Sequence, residues 1–137
     1  MKPARSLVVL FALAALGRGE ARAAPAPALA LGAGLDCREE LGTGRLLCTV
    51  EISPPFGYSI AWSDALVVEA PPAARPLRSR VPGAGDPPRS IVLGFVLASG
   101  EGGSIEIVAR AAVCPAPPRA GACRPLSIRL AAPVASR

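Results

Sequence analysis

The stretch SIEIVARAAVC, Ser104 to Cys114, decides the fold. Ile105, Ile107, Ala109, Ala111 and Val113 share one parity, and Ser104, Glu106, Arg110 and Cys114 share the other. Successive side chains of extended backbone point to opposite sides, so such alternation marks a strand with one buried face. Downstream, Leu126, Ile128 and Leu130 alternate against Ser127 and Arg129. Upstream, Leu29, Leu31, Ala33, Leu35 and Cys37 alternate, as do Leu46, Cys48, Val50 and Ile52. Tyr58, Ile60 and Trp62 follow, then Leu66 to Glu69. Ile91 to Leu97 is almost continuously apolar, which predicts a strand buried on both faces. Pro/Gly-rich turns separate these runs, and Gly100 to Gly103 reads as a hairpin turn.

That makes about seven strands, and no capped helical period appears beyond the first residues. Sixteen prolines discourage helices further. At this size the expected fold is all-β: a single antiparallel, immunoglobulin-like sandwich over residues 31–133. Residues 71–89 read as a long connection with a short edge strand near Leu77.

The start of the chain has a different grammar. Lys2 and Arg5 precede the apolar run Leu7 to Leu16, and Ala21-Arg22-Ala23 supplies a cleavage site, so residues 1–23 read as a signal peptide. The run is too short to span a bilayer, which needs about twenty apolar residues. Residues 24–30 are an Ala/Pro-rich extended lead-in. No membrane span is expected once the leader is removed. Arg without Lys, beside abundant Ala, Gly and Pro, suggests a GC-rich genome, and with export this favours the bacterial periplasm or medium.

The whole chain of 137 residues carries a net charge of +5. Without the leader's Lys2, Arg5, Arg18, Arg22 and Glu20, 11 basic and 9 acidic residues remain, too even a balance for a nucleic-acid binder. His, Asn and Gln are absent throughout, and beyond the leader so are Lys and Met. This removes His-based acid–base chemistry, Cys–His and Ser–His nucleophiles, Schiff-base lysines and His metal sites. No hydrolase, transferase or metalloenzyme is expected, nor any cofactor or metal. The spacing of the four cysteines does not suit zinc.

Four cysteines in an exported chain should be oxidised, and they allow three pairings. Sequence-near pairing joins Cys37 to Cys48 and Cys114 to Cys123, each closing a hairpin. Each bridge is worth roughly 2.5–3 kcal/mol in the chain-entropy account. Parity points Cys37 and Cys48 into the core, and Cys114 and Cys123 to the polar face. If Cys114 opposes Cys123, Ala109 faces Ile128 and Ile107 faces Leu130, so the apolar faces agree. Asp36, Glu39 and Glu40 disfavour a thiolate at Cys37, whereas Arg124 and Arg119 favour one at Cys123 and make it the better leaving group. The first pair reads as a structural staple and the second as an exchangeable bridge; the plainer reading makes both staples. A rival pattern, Cys48, Trp62 and Cys114, has the Cys…Trp…Cys spacing of immunoglobulin domains and would pair Cys48 with Cys114. Outward parity at Cys114 argues against it.

Val113-Cys114-Pro115, then Gly121-Ala122-Cys123-Arg124-Pro125 and the alternating Leu126, Ile128 and Leu130, resemble the C-terminal hairpin of the amino-terminal periplasmic domain of the membrane thiol–disulfide interchange protein. That family's domain is an immunoglobulin-like sandwich whose two hairpin cysteines pass electrons to periplasmic partners. The resemblance implies that Cys114 and Cys123 are the exchanging pair and that the partner is a periplasmic redox protein. The alternative is a non-catalytic, disulfide-stapled module that binds or assembles with another protein.

The remaining features have two readings each. Arg75, Arg78, Arg80 and Arg89 make either a receptor for an anion or a solvated loop. Tyr58, Ile60 and Trp62 make either a binding surface or core packing. Asp64 with Glu69, or Glu101 with Glu106, make either a carboxylate pair for hydrolysis or ordinary surface charges, and no cleft can be argued for the pair.

Overall fold

The computed structural model describes residues 28–137; the predicted leader and residues 24–27 of the lead-in lie outside them. The described chain is all-β. Its eight strands are β1 (Gly32–Glu40), β2 (Arg45–Ser53), β3 (Tyr58–Glu69), β4 (Ala74–Pro76), β5 (Arg80–Pro82), β6 (Ser90–Leu97), β7 (Gly103–Pro115) and β8 (Arg124–Val134). They form two four-stranded antiparallel sheets, ordered β1-β2-β6-β4 and β5-β3-β7-β8. Among the described residues no helix is long and apolar enough to cross a membrane.

The β7–β8 register is the one the alternation demands. Ile107 faces Leu130, Ala109 faces Ile128 and Ala111 faces Leu126. Ile105, Ile107, Ala109, Ala111 and Val113 are buried, and they meet Leu46, Cys48, Val50, Ile52, Ile91, Leu93 and Phe95 from the other sheet. Full burial of one such large side chain is worth about 1.5–3 kcal/mol. The tight β1–β2 turn, Leu41-Gly42-Thr43-Gly44, needs left-handed backbone at Gly42 (φ 77°) and Gly44 (φ 65°), where glycine has no Cβ to clash.

Eight strands replace the expected seven for local reasons. The runs Tyr58 to Trp62 and Leu66 to Glu69 are one strand, β3, interrupted by a bulge between Ile60 and Trp62. The long connection carries two three-residue strands on either side of Leu77, and these join different sheets. The chain thus switches layers between β4 and β5. The Gly100–Gly103 segment is not a hairpin turn, because β6 and β7 belong to different sheets. It is tied down by paired backbone hydrogen bonds between Gly100 and Arg137, 3.0 and 3.1 Å long.

β6 is not buried on both faces. Ile91, Leu93 and Phe95 lie in the core, but Val92 on the opposite face is 51% exposed. A two-layer sandwich covers each sheet once, so the second apolar face has no layer above it. Leu77 shields only Gly94, whose Cβ position lies 2.9 Å from the leucine Cδ1.

Candidate functional site

The cysteines pair in sequence-near fashion. Cys37 and Cys48 are cross-strand partners on β1 and β2, with Cα atoms 4.0 Å apart. Cys114, near the end of β7, joins Cys123, the residue before β8, with Cα atoms 4.1 Å apart. The Cys48–Cys114 pairing does not form: Cys48 points inward from the first sheet, and Cys114 points outward from the second.

Burial separates the two bridges. Cys48 has 0% exposure, and Cys37 packs half-buried against the core. Cys114 is half-buried and Cys123 is exposed. Two disulfides of this kind suggest an oxidising, exported environment.

The two arginines expected beside Cys123 are placed differently. Arg124 is the register partner of the buried Val113, so it has inward parity, opposite to Cys114. Arg119 lies over the Phe56 ring, 5.9 Å from its centroid, and beside Gly57. The cysteine loop is anchored there, through Ala116 N–H donating to the Gly57 carbonyl at 2.9 Å. Of the two cysteines in this bridge, Cys123 is the more exposed.

A second constellation occupies the same outer face. The bulge at Ala61 turns Trp62 outward, opposite Ala112, so of the two readings of Tyr58, Ile60 and Trp62, core packing holds for Ile60 and not for Trp62. Asp64 also has outward parity, yet its side chain is 0% exposed. Arg110 of β7 grips it with both edges, Nε to Oδ1 at 2.8 Å and Nη2 to Oδ2 at 2.5 Å. Arg80 of β5 adds Nε to Oδ2 at 2.6 Å. The indole of Trp62 lies against both guanidiniums, whose centres are 5.8 Å (Arg80) and 5.7 Å (Arg110) from the ring centroid. Burial alone would raise the Asp64 pKa, but the hydrogen bonds and charges of Arg110 and Arg80 outweigh it and hold the carboxyl below its ordinary value of 3.8. The same bond to Asp64 raises the Arg110 pKa against the effect of desolvation.

The layer switch that places β5 against β3 explains this meeting. Next to Asp64, Ser63 is buried and donates its hydroxyl to the Pro88 carbonyl at 2.5 Å, and Gly83 N–H donates to the Ser63 carbonyl at 2.9 Å. These bonds fix the segment after β5 on the sheet.

The four loop arginines are thus not one anion receptor. Arg80 serves Asp64, Arg75 lies on β4 of the other sheet, and Arg78 and Arg89 are exposed. Nor are the carboxylate pairs free for hydrolysis, since Asp64 is taken by two arginines and Glu106 pairs with Arg129 at 2.8 Å. The Asp64 cluster was missed from sequence, although opposite charges inside two apolar strands, Asp64 before Ala65-Leu66-Val67 and Arg110 within Ile105–Val113, were its signal.

Fold and site define a class: a two-sheet antiparallel sandwich with one buried and one surface disulfide. No protein-family model matches the chain, and neither a curated protein nor a solved structure does.

Proposed function

We propose that this is an exported domain of the bacterial periplasm or medium that exchanges electrons with a partner protein through Cys114–Cys123. One observation carries the reading: of two bridges similar in loop length, one runs from the half-buried Cys37 to the fully buried Cys48, and the other runs from the half-buried Cys114 to the exposed Cys123. The resemblance of the Cys114–Cys123 hairpin to the thiol–disulfide interchange domain supports the same assignment.

The chemistry needs no further side chain. A partner thiolate attacks the Cys123 sulfur, forms a mixed disulfide and releases Cys114 as a thiolate. The partner's second thiol gives up its proton to water and attacks its own sulfur in the mixed disulfide, which frees Cys123. Two electrons have moved to the domain, and its two thiolates take up protons from water. Run backward, the steps reduce a partner disulfide.

The test is to expose the oxidised, native protein to a reduced thioredoxin-like protein, quench with an alkylating agent and map the label by peptide mass. Label on Cys114 and Cys123 with Cys37 and Cys48 unlabelled is expected. Equal resistance of both bridges would leave a stapled binding or assembly module. That second reading is favoured by the Trp62–Arg80–Arg110 cluster, a surface that needs no redox step to be useful.

A further inference from the structure

The guanidiniums on Asp64 are only partly used. Arg110 spends Nε and Nη2 on the carboxylate, and Arg80 spends Nε. Among the described residues, both Nη groups of Arg80 and the Nη1 of Arg110 make no side-chain hydrogen bond. One carboxylate between two guanidiniums leaves a net charge of +1, pinned in place. The arginine side chains are 57% and 38% exposed, and Trp62 is 42% exposed. These N–H groups and the indole are therefore presented to solvent without the usual freedom of surface arginines, which lowers the ordering cost of binding. Trp and Arg are also the residue types that dominate protein interfaces.

The position relative to the disulfide matters most. Trp62 is opposite Ala112, and Cys114 follows two residues later with the same outward parity. A strand rises about 3.3 Å per residue, so the Trp62–Ala112 rung lies about 7 Å along β7 from Cys114, and Arg110 about 13 Å. Beside the cluster, Trp62, Arg110, Ala112, Pro125 and Ser127 line a cavity of about 270 Å³ with no acidic side chain in its lining. A partner covering about 800 Å² would touch both cluster and bridge.

We infer that Trp62, Arg80 and Arg110 dock a carboxylate-bearing surface of the thiol partner, and so bring its attacking sulfur to Cys123. This deepens the exchange reading and rests on it. Charge complementarity chooses an acidic partner, and the indole contributes contact area beside the charge.

Two synthetic dithiol peptides test the inference, identical except that Asp and Glu flank the cysteines in one and Lys in the other. Opening of Cys114–Cys123 is followed by alkylation and mass, with dithiothreitol as an uncharged reference. The acidic peptide should react about tenfold faster than the Lys peptide at low salt, and the advantage should shrink at high ionic strength. Arg80→Gln, which leaves the Arg110–Asp64 pair intact, should remove most of that preference, and Arg78→Gln should not. Equal rates for the two peptides, or a preference untouched by Arg80→Gln, would overturn docking at this cluster. A separate arm uses the acidic peptide with serines for cysteines and follows the Trp62 indole N–H by NMR. If no reagent opens Cys114–Cys123 ahead of Cys37–Cys48, the exchange reading fails. A Trp62 shift with the acidic but not the Lys peptide would then still establish an acidic ligand, and no shift would remove that too.

Discussion

Replacing each cysteine pair by serine should separate the staple from the surface bridge. The two loops span sequence separations of 11 and 9 residues. Lost chain constraint therefore costs about 2.8 and about 2.6 kcal/mol, a difference too small to measure. Burial makes the distinction. Serine at position 48 puts a hydroxyl at a site with 0% exposure among Val50, Leu46 and Leu93, and an unsatisfied buried hydroxyl costs a further 1–3 kcal/mol or so. Serine at position 123 meets water and adds nothing comparable. Cys37→Ser with Cys48→Ser should thus melt at least about 4 °C below Cys114→Ser with Cys123→Ser. Thermal unfolding followed by circular dichroism reads the difference. Should the core serine pair fail to fold, the corresponding alanine pair should fold and still melt below the surface pair. Equal melting temperatures for the two serine pairs would refute the claim that the bridges lie in different environments.

Asp64→Asn should cost about 1–3 kcal/mol in urea unfolding, less than the usual loss for a broken buried ion pair because Arg80 and Arg110 both reach water. Asp64 loses its proton more readily folded than unfolded, so its contribution is complete above the ordinary value of 3.8 and is lost as pH falls through the lower folded value. Stability of the native protein should therefore drop below about pH 4, and part of that drop should be missing in Asp64→Asn. Gly83→Ala should destabilise by about 2–3 kcal/mol, since a methyl group there collides with the Ser63 hydroxyl and disrupts its bond to Pro88; a neutral result in the same assay would contradict the packing of this segment.

The β7–β8 hairpin was legible because eleven residues of unbroken alternation leave one register that buries Ile105, Ile107 and Ala109 together. Both disulfides followed from the same parity. The first serious loss came at Ala61. One inserted residue shifts every later side chain to the other face, and nothing in the local composition marks it. Parity counted without that residue puts Trp62 on the side of Ile60 and leaves the partners of Asp64 hidden. Strands β4 and β5 are three residues each, too short for any period, so the layer switch that carries Arg80 to Asp64 was hidden. Arg124 opens β8 opposite the buried Val113, a register that its place beside Cys123 in the sequence does not reveal.

The central claim is that Cys114–Cys123 is the exchanging bridge and Cys37–Cys48 the staple. The most direct measurement is the reduction potential of each bridge, obtained by equilibrating the native protein in graded thiol–disulfide buffers and quantifying both pairs by differential alkylation. Cys114–Cys123 should lie above about −300 mV and Cys37–Cys48 below it, as structural bridges do. Two potentials that are equal, and both below that value, would contradict the account.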